Sequence, residues 1–138
     1  MRSNNIVILD SNIWISYLLG KQLHHLVLKS FEKGIEFITC SELIEEIAGV
    51  LSREKFRKYI SEGDIAEFIA IHIKLCRMIE LKSVPDAFTD KKDNFLLALY
   101  KTGRASTLVS GDKLLIKEAT RLNVHVINWH EFKQLLIG

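Results

Sequence analysis

The sequence predicts a three-layer α/β/α sandwich, in which helices cover both faces of a mostly parallel sheet of about five strands. Two observations carry this prediction. Short apolar runs rich in β-branched residues alternate with longer segments of helical periodicity along the chain. No repeat, low-complexity stretch or linker interrupts this alternation, so residues 1–138 are predicted to form a single domain with its own core.

In the first half of the chain, the elements follow from apolar runs and apolar spacing. Ile6-Val-Ile-Leu9 is apolar on both faces, as a strand inside a parallel sheet must be, and it stops at Asp10. Glycines close the two helical stretches that come next. The predicted elements are a strand at 6–9, helices that end near Gly20 and Gly34, a strand at 35–39, a helix from its N-cap Ser41 to about residue 51, a helix at 64–75 and a strand at 78–81.

The second half repeats the alternation after a polar connection that contains the lone proline, Pro85. The predicted elements are a helix at 95–100, a strand at 107–109, a helix at 113–122, a strand at 124–127 and a terminal helix at 129–136. Because helices connect the strands, the strands are expected to run parallel to one another.

Composition disfavours several classes of protein. A net charge of +2 is not that of a strongly basic nucleic-acid-binding domain, so any such site must be argued locally. Cys40 and Cys76 form no CxxC pair and are predicted to be reduced and buried, and the five histidines form no HExxH pattern of a zinc hydrolase. No apolar run approaches the roughly 20 residues that cross a bilayer. With no signal peptide before the first strand, we expect a cytoplasmic protein without membrane contact.

Two aspartates follow predicted strands. Asp10 comes directly after the first strand, and Asp112 follows the fourth through the small turn Ser110-Gly111. In parallel sheets the carboxyl ends of the strands share one edge, where ligands bind and helix N-termini point their amides. We therefore expect both carboxylates at that edge.

A third aspartate lies at the start of the helix at 95–100. Asp93 shares a helical stripe with Leu96, Leu97 and Tyr100, so its carboxylate is expected to face inward. Asp90 is better placed as an N-cap, a structural role that stabilises a helix by about 1 kcal/mol.

The helix after Ser41 carries three acidic residues, and helical phase separates them. Turning about 100° per residue places Glu46 nearest to the buried stripe, with Glu42 and Glu45 farther round the helix. Glu46 is therefore the predicted site residue, and Glu45 is predicted to be exposed to solvent.

Four carboxylates gathered at one edge would repel one another, and a bound cation explains why they are placed together. Oxygen ligands without nitrogen or sulfur favour Mg²⁺ or Mn²⁺, ions that activate water and stabilise charge on a phosphate during phosphodiester hydrolysis. The structural alternative stays open, because aspartates at strand ends and helix starts also cap helices and close turns.

Each of these carboxylates lies in a short motif, and the four motifs span most of the chain. They are Ile8-Leu-Asp10-Ser-Asn12, Leu43-Ile-Glu-Glu-Ile-Ala-Gly-Val-Leu51, Asp90-Lys-Lys-Asp93-Asn-Phe-Leu96 and Leu108-Val-Ser-Gly-Asp112-Lys-Leu-Leu115. In order and spacing they resemble the PIN domain nucleases, and specifically the compact PIN toxins of prokaryotic toxin–antitoxin systems.

The resemblance implies a Mg²⁺- or Mn²⁺-dependent endoribonuclease that cleaves RNA. Asp10, Glu46, Asp93 and Asp112 match the acidic residues of the family, and Asn12 and Ser110 match polar residues that orient them. It also implies a cognate antitoxin that neutralises the protein, and a homodimer. The chain departs from the family at Lys91, where related toxins carry proline, and at Trp14, which is bulkier than the usual aliphatic residue. We expect Trp14 in the core, with stacking on a base as the alternative.

In the mechanism that follows from these residues, Asp10, Asp93 and Asp112 hold one metal ion, while Glu46 orients the attacking water or completes a second metal site. Basic side chains near the site are candidates for binding RNA phosphates, and they are Arg53, Lys55, Arg57 and Lys113. A solvated helix face is the alternative interpretation of this cluster.

Two other functions fit parts of the pattern. A catalytically idle domain of this fold would bind RNA or a protein partner, but its acidic residues would not need to be intact. A phosphatase of similar topology would want a DxD-type nucleophile motif, which Asp10-Ser-Asn12 does not match.

Overall fold

The computed structural model describes residues 5–137 and contains one five-stranded sheet. The strands are β1 (Asn5–Leu9), β2 (Ile35–Thr39), β3 (Cys76–Met78), β4 (Thr107–Val109) and β5 (Val126–Ile127). Their order across the sheet is β3-β2-β1-β4-β5, and every neighbouring pair is parallel. The predicted fold class, with a parallel sheet of five strands, is confirmed.

Seven helices in the described part of the chain connect and cover the strands. They are α1 (Ser11–Leu19), α2 (Leu23–Glu32), α3 (Ser41–Leu51), α4 (Glu62–Leu75), α5 (Asn94–Thr102), α6 (Lys113–Arg121) and α7 (Trp129–Ile137). Two single 3-10 turns, at Glu54–Phe56 and Lys91–Asp93, precede α4 and α5. The prediction of one domain at 1–138 extends to residues 1–4 and 138, which lie outside the described residues.

Most element boundaries lie within one or two residues of the sequence prediction, and three of the differences have a clear structural cause. The third strand was expected at 78–81 but lies at Cys76–Met78, because it begins where α4 ends and pairs in register with β2. Cys40 occupies the N-cap position of α3 and Ser41 is its first residue, so Ser41 is not the cap. β5 is shorter than 124–127, since the amide of Val124 closes the end of α6 by donating to the carbonyl of Ala119.

The core lies between the sheet and its helices, and Trp14 is at its centre. This side chain is fully buried, with edge-to-face contacts to Phe37 and to the imidazole of His72. The prediction that Trp14 belongs to the core is confirmed, and burial of such a side chain contributes about 3 kcal/mol. Cys40 and Cys76 are buried free thiols, as predicted.

The strand order determines where the site lies. β1 is flanked by β2 on one side and by β4 on the other, so the chain reverses its direction of winding between β1 and β4. Parallel sheets bind ligands beyond the carboxyl ends of the strands at such a reversal, because the loops diverge there and leave a crevice. Among residues 5–137, no helix combines the length and the apolar character that crossing a membrane requires.

Candidate active site at the carboxyl edge of the sheet

Asp10 is the first residue after β1 and lies at the reversal point. Its backbone amide donates to the carbonyl of Val109 at 3.1 Å, which joins the ends of β1 and β4. Its side chain is buried, and Oδ1 accepts a hydrogen bond from the amide of Ile13 at 3.1 Å as the N-cap of α1. Burial raises the pKa of this carboxyl, repulsion from Glu46 and Asp112 raises it further, and hydrogen bonds from Ser110 and Ile13 oppose the shift.

Ser110 connects two of the predicted site residues. It is fully buried directly after β4, and its hydroxyl oxygen accepts a hydrogen bond from the amide of Asp112 at 3.1 Å. The same hydroxyl donates to the carboxylate of Asp10. Ser110 therefore lies between Asp10 and Asp112, and its role in orienting them stays a prediction. Asn12, the other predicted orienting residue, is exposed in the first turn of α1, and none of the hydrogen bonds found in residues 5–137 joins it to these carboxylates.

Asp112 is the N-cap of α6. Its Oδ1 accepts hydrogen bonds from the amides of Leu114 at 2.9 Å and Leu115 at 3.2 Å. The side chain is on the surface of the protein, and the amide end of α6 faces the same edge as Asp10. The partial positive charge of a helix N-terminus favours an anion there, which partly offsets the repulsion among the carboxylates.

Asp93 ends the 3-10 turn before α5 and is half-buried, as the helical stripe predicted. Burial raises the pKa of its carboxyl to about 6, and repulsion from Asp90, Glu46 and Asp112 adds to the shift, while Lys92 opposes it. The next residue, Asn94, holds the preceding loop in place, since its side-chain oxygen accepts hydrogen bonds from the amides at positions 87 and 88.

Glu46 is half-buried on α3, whereas Glu45 is exposed, as helical phase predicted. Glu46 raises the pKa of both Asp10 and Asp93 by repulsion. Asp112 also acts on both of these aspartates. Glu46 and Asp112 thus lie within electrostatic range of both Asp10 and Asp93, although the four carboxylates come from four separate segments of the chain.

These residues fit a divalent cation in charge and in donor type. None of the four salt bridges found in residues 5–137 involves them, so their negative charges are not neutralised by a paired lysine or arginine. Carboxylate oxygens are the ligands that Mg²⁺ and Mn²⁺ prefer. Within the described chain, however, no three acidic, histidine or cysteine side chains are already arranged around a metal position. Asp10 and Asp112 each direct Oδ1 at helix amides instead.

A cleft of about 450 Å³ adjoins this cluster, and Glu46 is part of its wall. Lys91 and Lys92 face Glu46 across the cleft. Sequence reasoning did not assign them to substrate binding, although their position beside Asp93 was a signal that could have identified them.

The predicted RNA-binding side chains are all exposed, but they do not line this cleft. Arg53, Lys55 and Arg57 lie beyond the C-terminus of α3, and Arg57 lines a separate cavity with Ser61 and Glu62. Lys113 begins α6 beside Asp112. Their role in binding RNA stays a prediction.

A second cleft, of about 530 Å³, lies away from the carboxylates between the end of α1, the start of α2 and one face of α4. Apolar side chains line most of it, among them Leu18, Leu19, Leu23, Phe68 and Ile71. Leu19 and Ile71 are both more than a third exposed, which leaves apolar surface open to a partner.

Comparison with known proteins gives one family and one fold. The sequence model of the PIN domain matches residues 6–114. A chain in the crystal structure of VapBC2 from Rickettsia felis, bound to a DNA fragment from their promoter, superposes with a TM-score of 0.62 at 17% sequence identity. The alignment covers 90% of this chain and 98% of that chain, and at this identity it supports the fold alone. No curated protein sequence matches the chain.

Proposed function

Because the chain belongs to the PIN domain family, we propose that it is a metal-dependent endoribonuclease that hydrolyses RNA phosphodiester bonds. One observation carries the proposal. Glu46 and Asp112 each act electrostatically on Asp10 and on Asp93 near the reversal point of the sheet. None of the salt bridges in the described chain neutralises these four carboxylates. Such an arrangement is costly for folding and serves to bind a cation.

In this proposal the four carboxylates divide into three metal ligands and one residue that acts on water. Asp10, Asp93 and Asp112 would hold the cation, and Glu46 would orient the attacking water and accept its proton. Ser110 would position the carboxylate of Asp10 through its hydroxyl. When bound, Mg²⁺ or Mn²⁺ acts as a Lewis acid, which neutralises charge on the phosphate and lowers the pKa of water.

The test is to incubate purified protein with mixed single-stranded RNA in Mg²⁺, in Mn²⁺ and in EDTA. We expect cleavage with either metal and none in EDTA. Asp10→Asn and Asp112→Asn should each reduce the rate at least about a hundredfold, because the neutral amide binds the cation poorly. Glu32→Gln on α2 is the matched control, since Glu32 is exposed and pairs only with Lys29. Wild-type rates in Asp112→Asn would contradict the assignment.

A second candidate function is an idle domain of the same fold that binds RNA or protein without cleaving it. The observation in its favour is that no three metal-binding side chains in residues 5–137 already converge on one position. Isothermal titration with Mg²⁺ and Mn²⁺ separates the two proposals. If the protein is a nuclease, the wild type should bind metal through Asp10, Asp93 and Asp112, and Asp112→Asn should abolish the heat of binding. If it is an idle domain, the wild type and Asp112→Asn should give the same heat.

We further propose that the protein is the toxin of a toxin–antitoxin pair, acts in the cytoplasm and is neutralised by a cognate antitoxin. Its fold is similar to a chain of VapBC2, and the apolar cleft beside α4 offers a surface on which a partner segment would pack. Inducing the protein in a bacterial host should then arrest growth, and inducing Asp112→Asn should not. Equal growth of the two cultures would count against a toxin.

We also propose that two copies of the chain associate. Phe31 and Leu28 on α2 and Leu135 and Ile137 on α7 are exposed apolar side chains on helices that pack against each other. A second copy would remove this surface from water. Sedimentation should give a dimer for the wild type and a monomer for Phe31→Ser, and a wild-type monomer would exclude the proposal.

A further inference from the structure

The cleft beside Glu46 has two chemically different walls. Three glutamates of α3 form one of them, and Lys91 and Lys92 form the other. Val84 and Phe95 also line the cleft and add apolar surface to it. Because Glu46 also belongs to the proposed active site, a group bound in this cleft lies next to the phosphate that is cleaved.

The basic wall lies on a turn that side-chain hydrogen bonds hold in place. The amide of Lys92 donates to Oδ1 of Asp90, which caps the turn, and Asn94 secures the loop before it. The ammonium groups are exposed and pair with surface carboxylates, Lys91 with Asp86 at 3.0 Å and Lys92 with Asp90 at 3.8 Å. Exposed ion pairs contribute little to stability, so both lysines can exchange these partners for a phosphate at small cost.

The opposite wall suits the edge of a nucleobase. Glu42 and Glu45 face the cleft with carboxylates that only accept hydrogen bonds, and Glu45 is exposed. Among the four RNA bases, guanine presents two adjacent donors, its ring N–H and its exocyclic amino group, on one edge. A carboxylate accepts both at once, and the exposed side chain of Val84 would contact the face of the ring.

We propose that this cleft binds the nucleotide adjacent to the cleaved bond, with its phosphate at Lys91 and Lys92 and a guanine base against Glu42 and Glu45. The inference rests on the proposed function, since it takes RNA as the substrate. It makes the cleft the part of the protein that selects the sequence to be cut.

The phosphate contact is tested by RNA binding in EDTA, where cleavage plays no part. The double variant Lys91→Gln/Lys92→Gln should bind a fluorescent single-stranded RNA about tenfold more weakly and lower the slope of log affinity against log salt by about 1 to 2. Lys74→Gln/Lys101→Gln removes the same charge from exposed positions outside the cleft and should change neither quantity. Equal losses in the two double variants would overturn the assignment of Lys91 and Lys92.

The base contact is tested in two ways. Binding in EDTA is measured for oligonucleotides that carry guanine, adenine, cytosine or uracil at one central position. Cleavage is measured on a randomised RNA pool, whose Mg²⁺-dependent products are sequenced. We expect wild-type protein to prefer guanine about tenfold at one position next to the cut. Glu42→Gln/Glu45→Gln should lose this preference and still cleave RNA. Wild-type cleavage without base preference, or a guanine preference that survives the double variant, would overturn the proposal.

The two proposals fail in distinguishable ways. If the protein does not cleave RNA under any condition, the proposed nuclease function fails, but guanine-dependent binding in EDTA still supports the cleft. If RNA is cleaved and binding does not depend on the base or on Lys91 and Lys92, the nuclease function stands and the cleft assignment is wrong.

Discussion

At the scale of one residue, Asp93 illustrates how the clustered carboxylates lower the stability of the folded protein. Its carboxyl is half-buried near three other acidic groups, and its pKa is raised to about 6. The side chain of Asp93 accepts no capping hydrogen bond from α5, although Asp93 is at the N-cap position. Asp10 and Asp112, in contrast, also serve as N-caps of α1 and α6. The least compensated of the three aspartates is therefore the one whose removal should stabilise the fold most.

We predict that Asp93→Asn raises the free energy of unfolding by about 1 kcal/mol at pH 7, after allowance for solvent screening of a half-buried group. The sign follows from the raised pKa, because the folded state prefers the neutral form and asparagine is neutral at every pH. Urea denaturation in EDTA measures the change. Asp86→Asn is the control, since Lys91 lowers the pKa of Asp86 and neutralising it should not stabilise the protein. A less stable Asp93→Asn protein would refute the explanation.

At the scale of an element, the position of α5 depends on how its C-terminus packs. A Cβ atom built on Gly103 would lie 2.3 Å from Cδ1 of Ile38, a fully buried residue of β2. Glycine allows the helix end to approach the sheet closely at an ordinary negative φ, and a larger residue would force the end of the buried Ile38 side chain to move. Since α5 begins next to Asp93, this contact helps to set the distance between Asp93 and the other carboxylates.

Gly103→Ala should lower the free energy of unfolding by about 1 to 3 kcal/mol, because the added methyl group overpacks the core. Gly49→Ala is the matched control inside α3, where a Cβ meets nothing within 4 Å. That change should stabilise the protein by up to about 1 kcal/mol through helix propensity. Denaturant titration compares both variants with the wild type, and equal stabilities for the two would contradict the packing argument.

For the whole molecule, the buried imidazole of His72 links stability to pH. His72 is fully buried among Trp14, Phe68 and Cys76, and its Nε2 lies 2.8 Å from the hydroxyl of Thr39. Burial lowers the pKa of His72 to about 4. The folded state therefore keeps this imidazole neutral at pH values where the unfolded chain binds a proton.

We predict that His72 causes stability to fall as the pH drops from about 6.5 to about 4, at no more than about 1.4 kcal/mol per pH unit and about 3 kcal/mol in total. The raised pKa values of Asp10 and Asp93 act in the opposite direction, since the folded state takes up their protons first. The contribution of His72 is thus measured by comparing the wild type with His72→Gln in the slope of the free energy of unfolding against pH. His125→Gln, at an exposed position, should keep the wild-type slope. An unchanged slope in His72→Gln would show that His72 is not responsible.

The local features of this protein could be predicted from its sequence. Apolar periodicity placed β1 and the end of the strand at Asp10, and helical phase separated Glu46 from the exposed Glu45. The motifs around the four carboxylates are local in sequence and by themselves indicate the PIN family, whose model matches residues 6–114. These features depend on neighbouring residues in the chain, so the sequence alone contains them.

Tertiary structure decided which distant segments meet. It placed β4 beside β1 although two strands lie between them in sequence, and this brings Asp112 to Asp10 with Ser110 between them. It also set Lys91 and Lys92 opposite α3, and it moved β3 to Cys76–Met78 by pairing it with β2. The physical reason is that strand order, register and cleft walls depend on packing between segments far apart in the chain, which local periodicity does not report.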